Sequence, residues 1–449
     1  MEQMHRRHFL ASLAAAAIPS ATRGADQPDF TLHIAPMTFE IAPRKMVKTI
    51  AYNGSVPGPL LRMKEGQAVT IEVFNDTGDA EIVHWHGLQI PSAVDGAMEE
   101  GTPLIPAHKS ARYSFIPKPS GTRWYHTHGM AGRNLKRATY TGQFGFLYIE
   151  PRNEPGDHDQ EIFLALKEWE PYLASGGVDD DSIDVAYGLF SVNDRALGHG
   201  EPIRVKEGQR VLLRILNASA TITRRIALAG HKFRVVAMDG NPVAVPQEVQ
   251  ALELGPAERI DAIVEMKQPG VWILGATDDH DRERGMGVVI EYAGQSGEPR
   301  WLAPGDEHWD YLAFGNAGQP DSQAEPAVER VSLVFEKKFA GHHWVDKWTI
   351  NGKSFPKTDP IRVRANGRYR LVFDNRSDEA HPVHLHRHTF ELAKIAGVAT
   401  SGIHKDVVVV GAKSQTEVDL IANNPGLTLF HCHQQMHMDY GFMSLMEYV

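Results

Sequence analysis

The sequence predicts an all-β chain built from three consecutive β-sandwich domains. Three observations predict it: short runs in which apolar residues alternate, a Gly-containing turn that recurs before such runs, and a Pro-Gly step that recurs before a second set of runs. Val69, Ile71 and Val73 alternate with polar neighbours, as do Val211, Leu213 and Ile215, and Tyr369, Leu371 and Phe373. Residues i and i+2 of a strand share a face, so each run reads as a half-buried strand. The turns Glu65-Gly66-Gln67, Glu207-Gly208-Gln209 and Asn366-Gly367-Arg368 precede them. Pro119-Ser120-Gly121, Pro269-Gly270 and Pro425-Gly426 precede the second set. A period above ~100 residues marks duplicated domains rather than a solenoid. The domains read as residues 29–152, 158–297 and 325–449, near the ~100 residues usual for a sandwich. The linkers are Pro151 to Asp157 and a Gly/Pro-rich stretch from Gly294 through Gln323. Helices are expected to be few and short.

Residues 1–25 read as an export signal. Arg6 and Arg7 precede an apolar run from Phe9 to Ile18, and small and polar residues follow to Ala25. The run is too short to anchor in a bilayer. The paired arginines resemble a twin-arginine signal, which implies the twin-arginine export machinery as a partner and a periplasmic or secreted, already folded protein. No later run approaches the ~18 apolar residues of a membrane span. Lys and Arg total 46 against 56 Asp and Glu, a formal charge of −10. That argues against a general nucleic-acid binder, which needs a basic surface. A monomer is expected.

The chain has one cysteine, Cys432, so an intramolecular disulfide is excluded, and it has 23 histidines. The histidines cluster as His84-Trp85-His86-Gly87, His126-Thr127-His128, His381-Pro382-Val383-His384-Leu385-His386, and His431-Cys432-His433 with His437 beyond. Every cluster holds a His-X-His pair, whose rings share one strand face and can aim at one point. Counted from the repeated Gly, the fifth and seventh residues are His126 and His128, then Gly275 and Thr277, then His431 and His433. The middle repeat lacks the histidines, so the fold does not require them. Imidazole is the commonest metal ligand and suits Zn, Cu, Fe and Ni. Cys432 faces away from His431 and His433 on a strand and therefore serves a different metal. His437 and His381 are its natural partners, and a thiolate beside two imidazoles suggests blue copper. Eight imidazoles remain (His84, His86, His126, His128, His384, His386, His431 and His433), more than one ion needs.

These motifs together resemble the three-domain multicopper oxidases, which include laccases, bilirubin oxidases and cuprous oxidases. The resemblance covers nearly the whole chain after the signal and implies cupredoxin-like Greek-key domains. It implies four copper ions: a type 1 copper that takes electrons from a reductant, and a trinuclear cluster that reduces dioxygen to water. By motif position, Cys432, His381 and His437 would hold type 1, His84 and His384 type 2, and His86, His126, His128, His386, His431 and His433 the type 3 pair. His437 would pass electrons from the donor. Asp95, in Val94-Asp95-Gly96, matches a family acid near the cluster and is a proton-donor candidate.

Two positions depart from the family pattern. The axial type 1 position, ten residues after the cysteine, is Phe442, with Met443 one step late; phenylalanine cannot ligate, so a three-coordinate, high-potential site is expected. The acid that often follows the last type 1 histidine is Met438 here, with Asp439 adjacent. Met436, Met438, Met443 and Met446 read as core filling. His342-His343 and His388 read as surface residues or as supports of the ligands, and Asp278-Asp279-His280-Asp281 as a solvated loop. The first functional reading is a laccase-like oxidase of phenols and aromatic amines. The alternatives are an envelope metallo-oxidase for Cu(I), Fe(II) or Mn(II), a copper nitrite reductase, and a copper-free structural protein, which the complete ligand set disfavours.

Overall fold

A computed structural model describes residues 27–152, 156–175, 183–317, 329–339 and 345–449. The export signal and His342-His343 lie outside the described residues.

The architecture is all-β, and one topology occurs three times. In each repeat the opening strand pairs in parallel with the strand that carries the alternating run. Phe30–Ala42 lies beside Val69–Asn75, Gln160–Ser175 beside Arg210–Asn217, and Glu329–Lys338 beside Arg368–Asn375. A second parallel pair closes the facing sheet: Gly58–Lys64 with Phe144–Glu150, Ile203–Val205 with Gly287–Tyr292, and Ile361–Val363 with Met443–Tyr448. These parallel pairs join otherwise antiparallel strands, the signature of Greek-key sandwiches.

The alternation fixes which face is buried. Val69, Ile71 and Val73 point inward, as do Val211, Leu213 and Ile215, and Tyr369, Leu371 and Phe373. In the first repeat they pack with Leu61, Trp85, Tyr125 and Leu147 from the facing sheet into one core. A second cluster, including Phe39, Trp124, Phe144, Trp169 and Leu216, joins the first repeat to the second. The core of the second repeat is continuous with that of the third. No helix among the described residues is long and apolar enough to cross a membrane.

Two segments are more ordered than a loop. Asp279–Glu283 is a short helix whose N-cap Asp278 accepts from the Asp281 N–H. Asp281 also meets the buried guanidinium of Arg224. The chain after Gly294 forms a 3-10 turn at Tyr311–Phe314 and a strand at Asn316–Ala317 that pairs with Val398–Ser401.

The Pro-Gly steps open the strands that carry the histidines. Gly121–Thr127 pairs with Val83–His86, setting His126 opposite His84. Thr428–Cys432 pairs with His381–Leu385, setting His431 opposite His384. In the second repeat the matching register sets Gly275 opposite Ala227. The first and third repeats therefore present imidazoles where the second presents small residues.

Candidate metal centres

Strand alternation separates two sites that share one segment. Cys432 turns to the opposite face from its neighbours and meets His381 and His437. Its Sγ lies 3.7 Å from Nδ1 of His381 and 3.5 Å from Nδ1 of His437. Those two nitrogens are 3.2 Å apart. His381 stands just ahead of its His-X-His pair, and His437 sits on the helix Gln435–Asp439. The far nitrogens are occupied: Nε2 of His381 meets Ser377 Oγ at 2.8 Å, and Nε2 of His437 meets a Glu379 carboxylate oxygen at 3.2 Å. Three ligand atoms thus face one point. Burial pushes the Cys432 thiol above its ordinary range, so a thiolate here needs a cation beside it.

The other eight rings converge between the first and third repeats, all buried. Their donor atoms fall into sets of His86, His126 and His433; His128, His386 and His431; and His84, His384 and His86. The pairs His126/His128, His384/His386 and His431/His433 each divide between two sets, whereas His84 and His86 meet in one. Burial drives the rings of His86, His126, His128, His384, His386, His431 and His433 well below the ordinary imidazole range, with neighbouring rings adding to the effect. The rings are therefore neutral, as ligation requires.

Hydrogen bonds to the outer nitrogens assign the tautomers. Nδ1 of His431 faces the carbonyl oxygen of Cys432 at 2.9 Å, and a carbonyl only accepts, so Nδ1 carries the proton. Nδ1 of His386 donates to Asp95 Oδ2 at 2.9 Å. The two Nε2 atoms, 3.0 Å apart, are then both lone pairs. Nδ1 of His84 donates to the Asp95 carbonyl at 2.9 Å and Nδ1 of His384 to the Asp406 carbonyl at 2.7 Å. Their Nε2 atoms are buried without a partner, as are both ring nitrogens of His433. Buried acceptors that face one another with no donor between them are costly in a bare protein. Metal ions would supply the missing partner, so the residues fit a multinuclear metal site.

Profiles of multicopper oxidase domains match residues 33–154, 185–293 and 330–448. The chain is 30% identical to the multicopper oxidase MmcO of Mycobacterium tuberculosis, over 90% of this chain and 84% of that protein. It superposes on the crystal structure of a multi-copper oxidase from Pseudomonas thermotolerans with a TM-score of 0.74 at 27% identity, covering 93% of this chain and 98% of the other. A metallo-oxidase structure from Campylobacter jejuni shares the fold with a TM-score of 0.74 at 22% identity, covering 94% and 92%. The chain belongs to the multicopper oxidase family. It is an oxidoreductase, and the family binds copper and uses dioxygen with a reductant.

Within this multicopper oxidase the departures acquire a geometry. Phe442 is fully buried, its ring 4.9 Å from that of His381. Met443 turns the other way and packs with Ala97, Leu429 and Met438. All four C-terminal methionines are buried. Asp439 bonds the N–H groups of Ala131 and Gly132 at 3.0 and 2.6 Å and the Gln435 amide at 2.8 Å, so it staples a first-repeat loop to the third repeat. Burial raises its carboxyl to about 6.

Three supporting residues escaped the sequence reading. Glu100 is buried 3.3 Å from Nδ1 of His386, and its carboxyl is raised well above normal by burial and the Asp95 charge. Asp406 accepts from Nε2 of His86 at 3.0 Å. Glu379 stands at the outer edge of His437. His388 is buried and joins the His386 carbonyl to the Tyr448 hydroxyl, a support rather than a surface group.

Proposed function

We propose that the protein is a laccase-like oxidase that couples one-electron oxidation of phenolic or aromatic-amine donors to reduction of dioxygen to water. Four coppers fit the residues. Cys432, His381 and His437 would hold type 1, and His84 and His384 type 2. His86, His126 and His433 would hold one type 3 ion and His128, His386 and His431 the other. The observation that carries the reading is the set of buried, neutral rings whose lone pairs face each other, next to a separate thiol and two imidazoles. When bound, copper supplies one-electron chemistry, by which four electrons and four protons turn one dioxygen into two waters.

The chain's own residues do the rest. Cys432 is covalently continuous with His431 and His433, so its backbone bridges the two centres. His437, 6% exposed, is the edge nearest the donor. Asp95 holds the His386 ring and lies beside Glu100; this buried carboxyl pair is the proton source for oxygen reduction. Burial of the eight rings keeps bulk water from the site.

One observation favours a second reading, a metallo-oxidase. The Glu379 carboxylate, 40% exposed, touches His437, where a donor cation would arrive. Copper analysis of the purified protein tests the common ground: near four ions per chain is expected, and near zero or one would end both readings. Oxygen uptake with a dimethoxyphenol, an aromatic amine, Cu(I), Fe(II) and Mn(II) separates them. Rapid uptake with the organic donors and no metal dependence supports the first reading, and uptake with a metal ion alone supports the second.

A further inference from the structure

The second domain gives no imidazole to either centre, yet it places a fully buried guanidinium against the oxygen site. Arg259 begins the strand Arg259–Glu265. It forks onto Asp406 of the third domain, Nη1 to Oδ1 at 2.7 Å and Nη2 to Oδ2 at 2.6 Å. Asp406 Oδ1 in turn accepts from Nε2 of His86 in the first domain, and its carbonyl accepts from Nδ1 of His384. One residue of the third domain thus orients a ring of each of two donor sets, and one side chain of the second domain fixes that residue.

The surroundings are built for this contact. Asp239, also of the second domain, accepts from the N–H groups of Arg259, Asp406 and Val407 at 3.1, 3.3 and 3.1 Å. It also pairs with Lys405 at 2.9 Å. Gly87, with φ +84°, leaves room for the fork: a Cβ there would stand 2.7 Å from Asp406 Oδ2 and 2.8 Å from Arg259 Nη2. A planar, bidentate pair fixes a carboxylate's orientation, which a single ammonium cannot do.

We propose that Arg259 is a positioning residue for the oxygen-reducing centre. Acting through Asp406, it fixes the plane and tautomer of His86, so the domain without ligands sets the geometry of a site to which it gives none. The inference rests on His86 being a copper ligand.

The test uses the copper-loaded full chain, its Arg259→Gln variant and its Arg259→Lys variant. In Arg259→Gln the blue absorption of the Cys432 site and the anaerobic rate of its reduction by donor should be unchanged. The electron paramagnetic resonance signal of the type 2 copper and the near-ultraviolet absorption of the type 3 pair should shift, and kcat/KM for dioxygen should fall roughly 10- to 100-fold. Arg259→Lys keeps the charge without the fork and should restore only part of the rate. If Arg259→Gln does not fold, the same spectra of Arg259→Lys decide. Unchanged cluster spectra and oxygen kinetics in the variants would overturn the proposal. So would a loss shared equally by the blue site and the cluster, which marks a purely structural role. A parent protein that shows the blue site but no cluster signals would instead remove the copper assignment beneath it.

Discussion

Asp95 of the first repeat and Asp406 of the third exchange partners across the domain boundary. Each gives its carbonyl to a histidine of its own repeat, His84 and His384 respectively. Each gives its carboxylate to a histidine of the other repeat, His386 and His86. The rings obey the same exchange: His84 stacks on His386 at 3.9 Å, and His86 on His384 at 3.8 Å. The symmetry breaks in the charges around each acid. Asp406 faces Arg259 and Arg123, whereas Asp95 faces a second carboxyl, Glu100.

On the proposed reading the Asp95–Glu100 pair supplies protons, and Asp95 is the member that also holds a ligand ring. Asp95→Asn keeps the size of the side chain and removes its acidity. Anaerobic bleaching of the blue site by donor should proceed at the parent rate, while kcat with saturating dioxygen should fall about 100-fold, within the usual worth of a positioned acid. Stopped-flow reduction and oxygen-electrode kinetics measure the two halves separately. Equal slowing of both would remove Asp95 from proton supply.

On the proposed assignment Phe442, packed against His381, offers no donor atom to the ion that Cys432, His381 and His437 would hold. Phe442→Met places a thioether on the same face, and the potential of the site should fall, since the axial ligand tunes it. Redox titration of the blue band measures the change. Oxidation of donors with high potentials should slow more than that of easily oxidised ones. An unchanged potential would mean that the new side chain does not reach the metal.

If the metallo-oxidase reading holds, Glu379 should distinguish donor classes. Its carboxyl is held to about 2: burial would raise it, but the His437 ring and the Lys337 ammonium bring it down. It is therefore an anion at any working pH. Glu379→Gln should lower kcat/KM for a cationic metal donor by about 10-fold, the worth of a lost charge contact near 1.4 kcal/mol. A neutral phenol should be affected less than twofold. An equal effect on both donors would mean that the residue acts only by holding His437.

Acid should destabilise the metal-free fold. Burial pushes the His388 ring down to about 4 from its ordinary 6.5. Below pH 6.5 the unfolded chain takes up a proton that the native ring refuses, so stability present above that pH is lost as pH falls towards 4. The loss from this ring alone reaches roughly 3 kcal/mol. Urea unfolding of apoprotein between pH 7.5 and 5 should show the decline, and His388→Gln should flatten it by about one proton. A slope unaffected by that substitution would show that His388 does not resist protonation.

The sequence exposes whatever obeys a local period. Strand alternation and the Gly-anchored repeat revealed the paired histidines, the opposite facing of Cys432 and the empty middle repeat. Asp406 and Glu100 have no such signature. Asp406 opens a run of four valines and reads as the edge of a strand. Glu100 follows Met98-Glu99 in what reads as a surface turn. Their meaning arises only when residues 320 and 286 positions away are folded against them, through His86 and His386 respectively. The helix at Asp279–Glu283 was hidden for a related reason, since its cap and the Asp281–Arg224 contact offset its weak propensity.

The exchange of partners between the outer domains also governs when the proposed centre can first assemble. His86 and Asp406 are 320 positions apart, so a ribosome has released the first long before it makes the second. A growing chain carries only half of the oxygen pocket, without the anchors that orient its rings. Such a chain cannot assemble the complete centre and so cannot reduce dioxygen midway through synthesis.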